Sequence, residues 1–169
     1  LPIYPLTSHP TFRKYFGSEV YYSSIQDAAP FGNDEGSDAL WKLSDRLRRR
    51  PKADLTHYPA SLISKLYHLP FCPPKGETYE ELEAQRNLTL EGRPLLEQLR
   101  RTDRVIVALA LAQVKITGSL SKALYALALR SLDRLVKLKS LGAPVRCSVE
   151  LLLQERDDLE IYAREVGLN

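Results

Sequence analysis

The sequence predicts an all-α fold: a helical bundle around one buried central helix at about residues 103–117, with an irregular, Pro- and aromatic-rich N-terminal layer across one side. Three observations carry that prediction. Helix-starting and helix-stopping residues bracket several stretches whose apolar positions recur with the helical period. Inside one such bracket, Val105 to Ala112 is continuously apolar, as a helix covered on all sides requires. The one strand-like segment, Val20-Tyr21-Tyr22, has no partner strand to satisfy its backbone groups, so Glu19 to Ile25 reads as short helix or extended loop.

Pro2, Pro5 and Pro10 keep the first ten residues extended, because Pro is excluded from helix interiors and restricts the residue before it. Thr11 to Phe16 forms a short helix with Phe12, Tyr15 and Phe16 on one face. Asn33 or Asp34 caps a helix to about Arg50, with Ala39, Leu40, Leu43 and Leu47 facing inward and Trp41 to one side. Pro51 stops it. His57-Tyr58-Pro59 starts another helix, burying Leu62, Ile63, Leu66 and Tyr67, and Leu69 to Pro74 is a rigid connection.

Thr78 and Glu81 match a capping box, and Gly92-Arg93-Pro94 interrupts the helix that it starts. Thr102-Asp103 caps the central helix, which runs to Val114 or Ile116 and closes at Gly118. Ser119 caps a long helix to Leu141. Its inner face carries Leu120, Leu124, Leu127, Leu135 and Leu138, and its wet face Lys122, Arg130, Arg134, Lys137 and Lys139. Gly142 and Pro144 end it, Ser148 caps a last helix to Glu165, and Gly167 terminates that one.

With 169 residues the chain reads as a single domain, 1–169, large enough to bury a core without metals or disulfides. All three His, all four Phe, the single Trp and nine of the eleven Pro precede Lys75, which divides an irregular layer (1–77) from a helical scaffold (78–169). A net charge of +3, from 24 basic and 21 acidic residues that interleave, is too mild to argue for nucleic acid. Cys72 and Cys147 fit no zinc spacing and read as buried thiols. The longest apolar run is far shorter than the roughly 20 residues of a membrane span. The protein is therefore expected to be cytoplasmic, with no membrane role. The chain starts at Leu1 and contains no Met, which reads as a trimmed or processed start.

The segment Ala29-Pro30-Phe31-Gly32-Asn33-Asp34-Glu35-Gly36-Ser37-Asp38 is the most distinctive. Asp34 and Asp38, four apart, share a helix face, with Glu35 alongside, Asp27 upstream and His9 able to fold near. Such a set suits a divalent cation or an acid beside a base. Carboxylates in a first turn also complement the helix dipole, and that structural role competes with the chemical one. His9, Phe31, Asp34, Glu35, Asp38 and Trp41 are the candidate binding residues; no catalytic residue is assigned and no cofactor is expected. Arg46 to Lys52 is the densest basic run, suited to phosphates but placed where a helix C-terminus favours positive charge anyway. Nucleophile-elbow, phosphate-loop and dinucleotide motifs are missing.

His9-Pro10, then Tyr21-Tyr22, Ile25 and Asp27, then the Ala29–Asp38 block leading into a helix with Trp41, resembles the YfeS-like bacterial proteins. The resemblance covers roughly Ser8 to Leu47, and its specific part is PFGNDEGSD. It implies a bacterial, intracellular, mostly helical protein, linked by similarity to parts of a molybdate metabolism regulator, and supplies no catalytic residues. The resulting expectation is a non-enzymatic protein-binding protein, regulatory or toxin-neutralising, with another protein as partner. The alternative is a metal-dependent enzyme using His9, Asp34, Glu35 and Asp38. A third reading is nucleic-acid binding through Arg46–Lys52.

Overall fold

The computed structural model describes residues 7–168. Helix α1 (Pro10–Tyr15) and a 3₁₀ turn (Glu19–Tyr22) form the N-terminal layer, and α2 (Asp34–Arg49) comes next. Helix α3 (Tyr58–Leu62) runs on into a π turn (Ile63–Tyr67). After α4 (Tyr79–Ala84), a minimal antiparallel hairpin pairs β1 (Thr89–Leu90) with β2 (Arg93–Pro94). The scaffold is α5 (Leu95–Thr117), α6 (Lys122–Ser140) and α7 (Val149–Glu165).

Helix α5 is the centre. It packs against α2 on one side and α6 on another, α7 lies on α6, and α1 rests across α5 and α7. Buried apolar residues from both halves of the chain, such as Phe12, Leu43, Leu109 and Leu135, belong to one core. The expected all-α bundle around a buried helix is therefore what forms. Among the described residues no helix is long and apolar enough to cross a membrane. The expectation for Pro2 and Pro5 falls outside the described residues, and Pro10 opens α1 rather than extending the chain.

Helix α4 ends at Ala84, well before Gly92, and three other boundaries or faces differ from expectation, each for a physical reason. First, α5 starts at Leu95, not at Thr102-Asp103. A tight turn with positive φ at Glu91 and Gly92 delivers the chain to Pro94, which stands just before the first helical residue. Thr102 and Asp103 are buried inside the helix and make tertiary bonds instead of capping ones. The Thr102 hydroxyl accepts from the Cys72 amide at 3.2 Å, and both Asp103 oxygens accept from Arg134 at 2.8 Å.

Second, α6 is capped by Ser121, whose hydroxyl accepts from the Leu124 amide at 3.2 Å. Ser119 stands two residues before that cap, its amide donating to the Thr117 hydroxyl at the end of α5. Third, Arg134 is not on a wet face but 2 % exposed, bonded to Asp103, Glu77 and the Cys72 and Pro73 carbonyls. A buried guanidinium needs this many acceptors to offset its desolvation.

The capping box at Thr78 and Glu81 and the cap at Ser148 form as the sequence predicts. In the N-terminal layer, Phe12 stacks on Phe16 with ring centroids 4.8 Å apart, and Tyr21 meets both rings edge-on. The Tyr21 hydroxyl donates to Asp158 at 2.5 Å, fastening the layer to α7.

Candidate functional site

The entry to α2 is built from its backbone outward. Asn33 is the cap, its Oδ1 accepting from the Gly36 amide at 2.8 Å. Its Nδ2 donates back to the Asp27 and Ala29 carbonyls, so one side chain locks both sides of the turn. Gly32 and Gly36 are demanded by contact rather than by backbone angle. A Cβ on Gly36 would sit 1.7 Å from the Pro30 carbonyl oxygen, and one on Gly32 would sit 1.9 Å from that of Gln26. Ala29, Pro30 and Phe31 are buried beneath this knot.

Its carboxylates point in different directions. Glu35 turns inward and is buried, 3.2 Å from Arg101 Nε and 3.7 Å from Arg100 Nη2 on α5. Asp38 accepts from the Tyr67 hydroxyl at 2.9 Å, while the Arg101 guanidinium lies over the Tyr67 ring. Burial and the neighbouring Asp38 push the Tyr67 phenol above its ordinary range. Asp34 remains exposed. Arg104 donates to the Asp27 carbonyl at 2.8 Å, and the Asp27 carboxylate pairs with Arg146. Three arginines of α5 thus hold the segment, and beside it lies a polar cleft of about 420 Å³ between Asp34, Glu97, Arg100 and Arg146.

The six predicted site residues do not form one site. His9 sits at the opposite end of α5, its amide donating to the Lys115 carbonyl at 2.8 Å and its Nδ1 accepting from the Thr11 amide. Its ring fills the space above Gly118, where a Cβ would come within 2.4 Å of it. From the Arg100 turn to the Lys115 turn is roughly 20 Å of helix at 1.5 Å per residue, so His9 does not meet the carboxylates. Among the described residues no three His, Cys, Asp or Glu side chains are grouped to hold a metal ion. The joint His9/Asp34/Glu35/Asp38 centre is corrected accordingly: Glu35 is engaged by arginine, Asp38 by tyrosine and His9 by α1. Phe31 is buried, whereas Trp41 is 46 % exposed on the outside of α2.

A protein of Escherichia coli (strain K12) described as "Uncharacterized protein YfeS" is 30% identical to this chain over 128 residues, 76% of it. Over that stretch the chain is YfeS-like. It spans about half the length of that curated relative. The match is much longer than the Ser8–Leu47 stretch and necessarily includes α5, so the likeness extends into the helical scaffold. The link to a molybdate metabolism regulator is no part of it. No family model and no solved structure matches the chain.

In this YfeS-like chain the basic run at the C-terminal end of α2 is largely occupied. Arg46 stacks on the Tyr58 ring at 5.1 Å, and Arg48 and Arg49 both pair with Asp45. Both cysteines are free thiols; Cys147 is buried, which pushes its thiol up to about 12, and Cys72 is half-buried.

Sequence reasoning missed two buried ionisable groups. Lys115 is fully buried, and its Nζ donates to the Tyr21 carbonyl at 3.3 Å. The rings of Tyr22, Phe12 and Phe31 surround it at 4.2, 4.6 and 5.4 Å. Their negative faces favour the ammonium, but no carboxylate among the described residues pairs with it. Burial pushes the amine down to about 7. Glu155 on α7 is 1 % exposed, and its Oε1 has no hydrogen-bond partner. Burial pushes its carboxyl up to about 8, with Arg104 acting against that shift. A signal for Lys115 existed: it is the one charge between Arg104 and Lys122, in the stretch of α5 that is otherwise nearly all apolar.

Proposed function

We propose that this YfeS-like chain is a non-enzymatic protein-binding module, with the outer side of α2 as its contact face and Trp41 at the centre. The observation that carries this reading is the exposed Trp41 indole on a long, well-anchored helix. Tryptophan is the side chain most enriched among residues that dominate protein interfaces. The helical period aligns Asp34, Asp38 and Trp41 along one side of α2, with Asp45 beyond them held by Arg48 and Arg49, so the apolar anchor has its acidic neighbours toward the helix start. Its partner is a protein surface with an apolar recess rimmed by basic residues. A regulatory or toxin-neutralising role would act through that contact.

The test is a tagged capture from a bacterial extract, comparing the wild-type chain with Trp41→Ala and Asp34→Lys. A protein retained in stoichiometric amount by the wild type and lost with either variant is expected, with circular dichroism unchanged. Equal retention by all three, or nothing retained by the wild type, contradicts the reading. Trp41 is the single tryptophan. A complex formed with a purified partner that lacks tryptophan should therefore shift its emission to shorter wavelength and reduce quenching by acrylamide.

A further inference from the structure

The C-terminal half of α2 carries a cleft of about 410 Å³, lined by Lys42, Asp45, Arg46, Arg49, Arg50 and Tyr58. Its four cations stand at i, i+4, i+7 and i+8, so they form one stripe along the helix. A helix C-terminus favours positive charge, but that effect fades beyond the last turn, and Lys42 lies two turns from the end. Nor does ion pairing absorb the stripe. Asp45, the one acidic residue of the lining, already serves both Arg48 and Arg49. Lys42, Arg46 and Arg50 have no carboxylate partner among the described residues. Arg46 is the most telling member. Its guanidinium is held over the Tyr58 ring at 5.1 Å, and its Nε is buried with no hydrogen-bond partner. Stacking fixes the plane of the fork, yet none of its N–H groups meets an acceptor among the described residues, and the Tyr58 hydroxyl makes no hydrogen bond there either.

We propose that this cleft binds a small oligophosphate, a chain of two or three phosphoryl groups, free or as the tail of a nucleotide. Arginine meets phosphate oxygens with paired N–H donors, and a guanidinium already fixed by stacking gives up less freedom in doing so. The stripe covers eight residues of helix, about 12 Å, more than one phosphate can engage. A carboxylate ligand brings a single charge to four cations, whereas an oligophosphate brings several. The negative end of the helix dipole, about half an elementary charge, is outweighed by those cations. A nucleic acid suits the cleft less well, because a backbone continuing past Lys42 meets Asp38 and Asp34 on the same helix. This inference is independent of the Trp41 face.

Titration calorimetry of the whole chain with sodium tripolyphosphate, at neutral pH and low salt, tests it. The expected result is one saturable site, weakened about tenfold by Lys42→Gln and further by Arg46→Gln. Lys42 is exposed, so its replacement leaves the fold intact. Arg46→Lys keeps the charge but loses the fork, and should recover only part of the affinity. Lys122→Gln, on the exposed surface of α6, should bind as the wild type does. Equal affinity for ATP and tripolyphosphate would show that the cleft reads the phosphate chain alone, and tighter ATP that it reads a nucleotide. No saturable binding of either, or equal weakening by Lys122→Gln and Lys42→Gln, would overturn the proposal. So would a short oligothymidylate that binds more tightly than tripolyphosphate with the same dependence on Arg46, since the stripe would then be a nucleic-acid contact.

Discussion

Lys115 and Glu155 show how single buried charges shape the stability of this protein, and they act in opposite pH windows. The folded amine releases its proton near 7, well below the ordinary lysine value of about 10.4. Between about pH 8 and pH 10 the unfolded chain therefore holds a proton that the folded protein has lost, and stability rises with pH. The Glu155 carboxyl titrates near 8, above the ordinary value of about 4.3. Between about pH 5 and pH 8 the folded protein keeps a proton that the unfolded chain has lost, so stability falls as pH rises. Each group contributes a slope of at most about 1.4 kcal/mol per pH unit. Urea unfolding across pH 5–10 separates them. Lys115→Met should lower the slope on the alkaline side, where the raised Cys147 thiol acts against the amine, and Glu155→Gln should lessen the fall on the acid side, to which buried Asp103 also contributes. Parallel curves for wild type and variants would contradict both assignments. Neither group was identified from the sequence. Lys115 carried a readable signal as the one charge between Arg104 and Lys122. Glu155 carried none, since an acidic residue in an amphipathic helix reads as solvated.

Helix α2 shows how far local chemistry is legible at the scale of an element. Asn33 or Asp34 was expected as the cap, and it is the Asn33 side chain that accepts from the Gly36 amide. The double tie from its Nδ2 to the Asp27 and Ala29 carbonyls depends on a turn that periodicity does not encode. Nothing in the sequence marked Gly36 as a point of backbone contact. An exposed helical glycine gains up to about 1 kcal/mol on replacement by alanine. Here a Cβ would meet the Pro30 carbonyl, so Gly36→Ala should destabilise by at least about 2 kcal/mol in urea unfolding. Asn33→Ala should cost about 1 kcal/mol. A neutral or stabilising Gly36→Ala would show that the turn is looser than described. The acidic set was legible as a cluster, yet its partners were not. Glu35 finds Arg100 and Arg101 from α5, about 65 positions along the chain, and such pairings come only from packing.

Across the whole molecule, the bundle was readable because capping and apolar period agreed in most segments. The failures lie where polar residues serve tertiary bonds instead of local ones. Thr102 and Asp103 read as a cap but bind Cys72 and Arg134, and that misplaced the start of α5. Arg134 read as solvated because its spacing matched the lysines of the wet face, whereas its acceptors come from remote segments. His9 and the PFGNDEGSD carboxylates were grouped by their chemistry, and the length of α5 keeps them apart. The contact face we propose is the outside of α2, where Trp41 stands exposed. Photo-crosslinking in living bacteria, with p-benzoylphenylalanine replacing Trp41, tests that placement most directly. Leu153, exposed on α7, is the matched control position. The proposed contact face predicts a discrete crosslinked partner band from position 41 that is missing from position 153. No band from position 41, or the same bands from both, would contradict it.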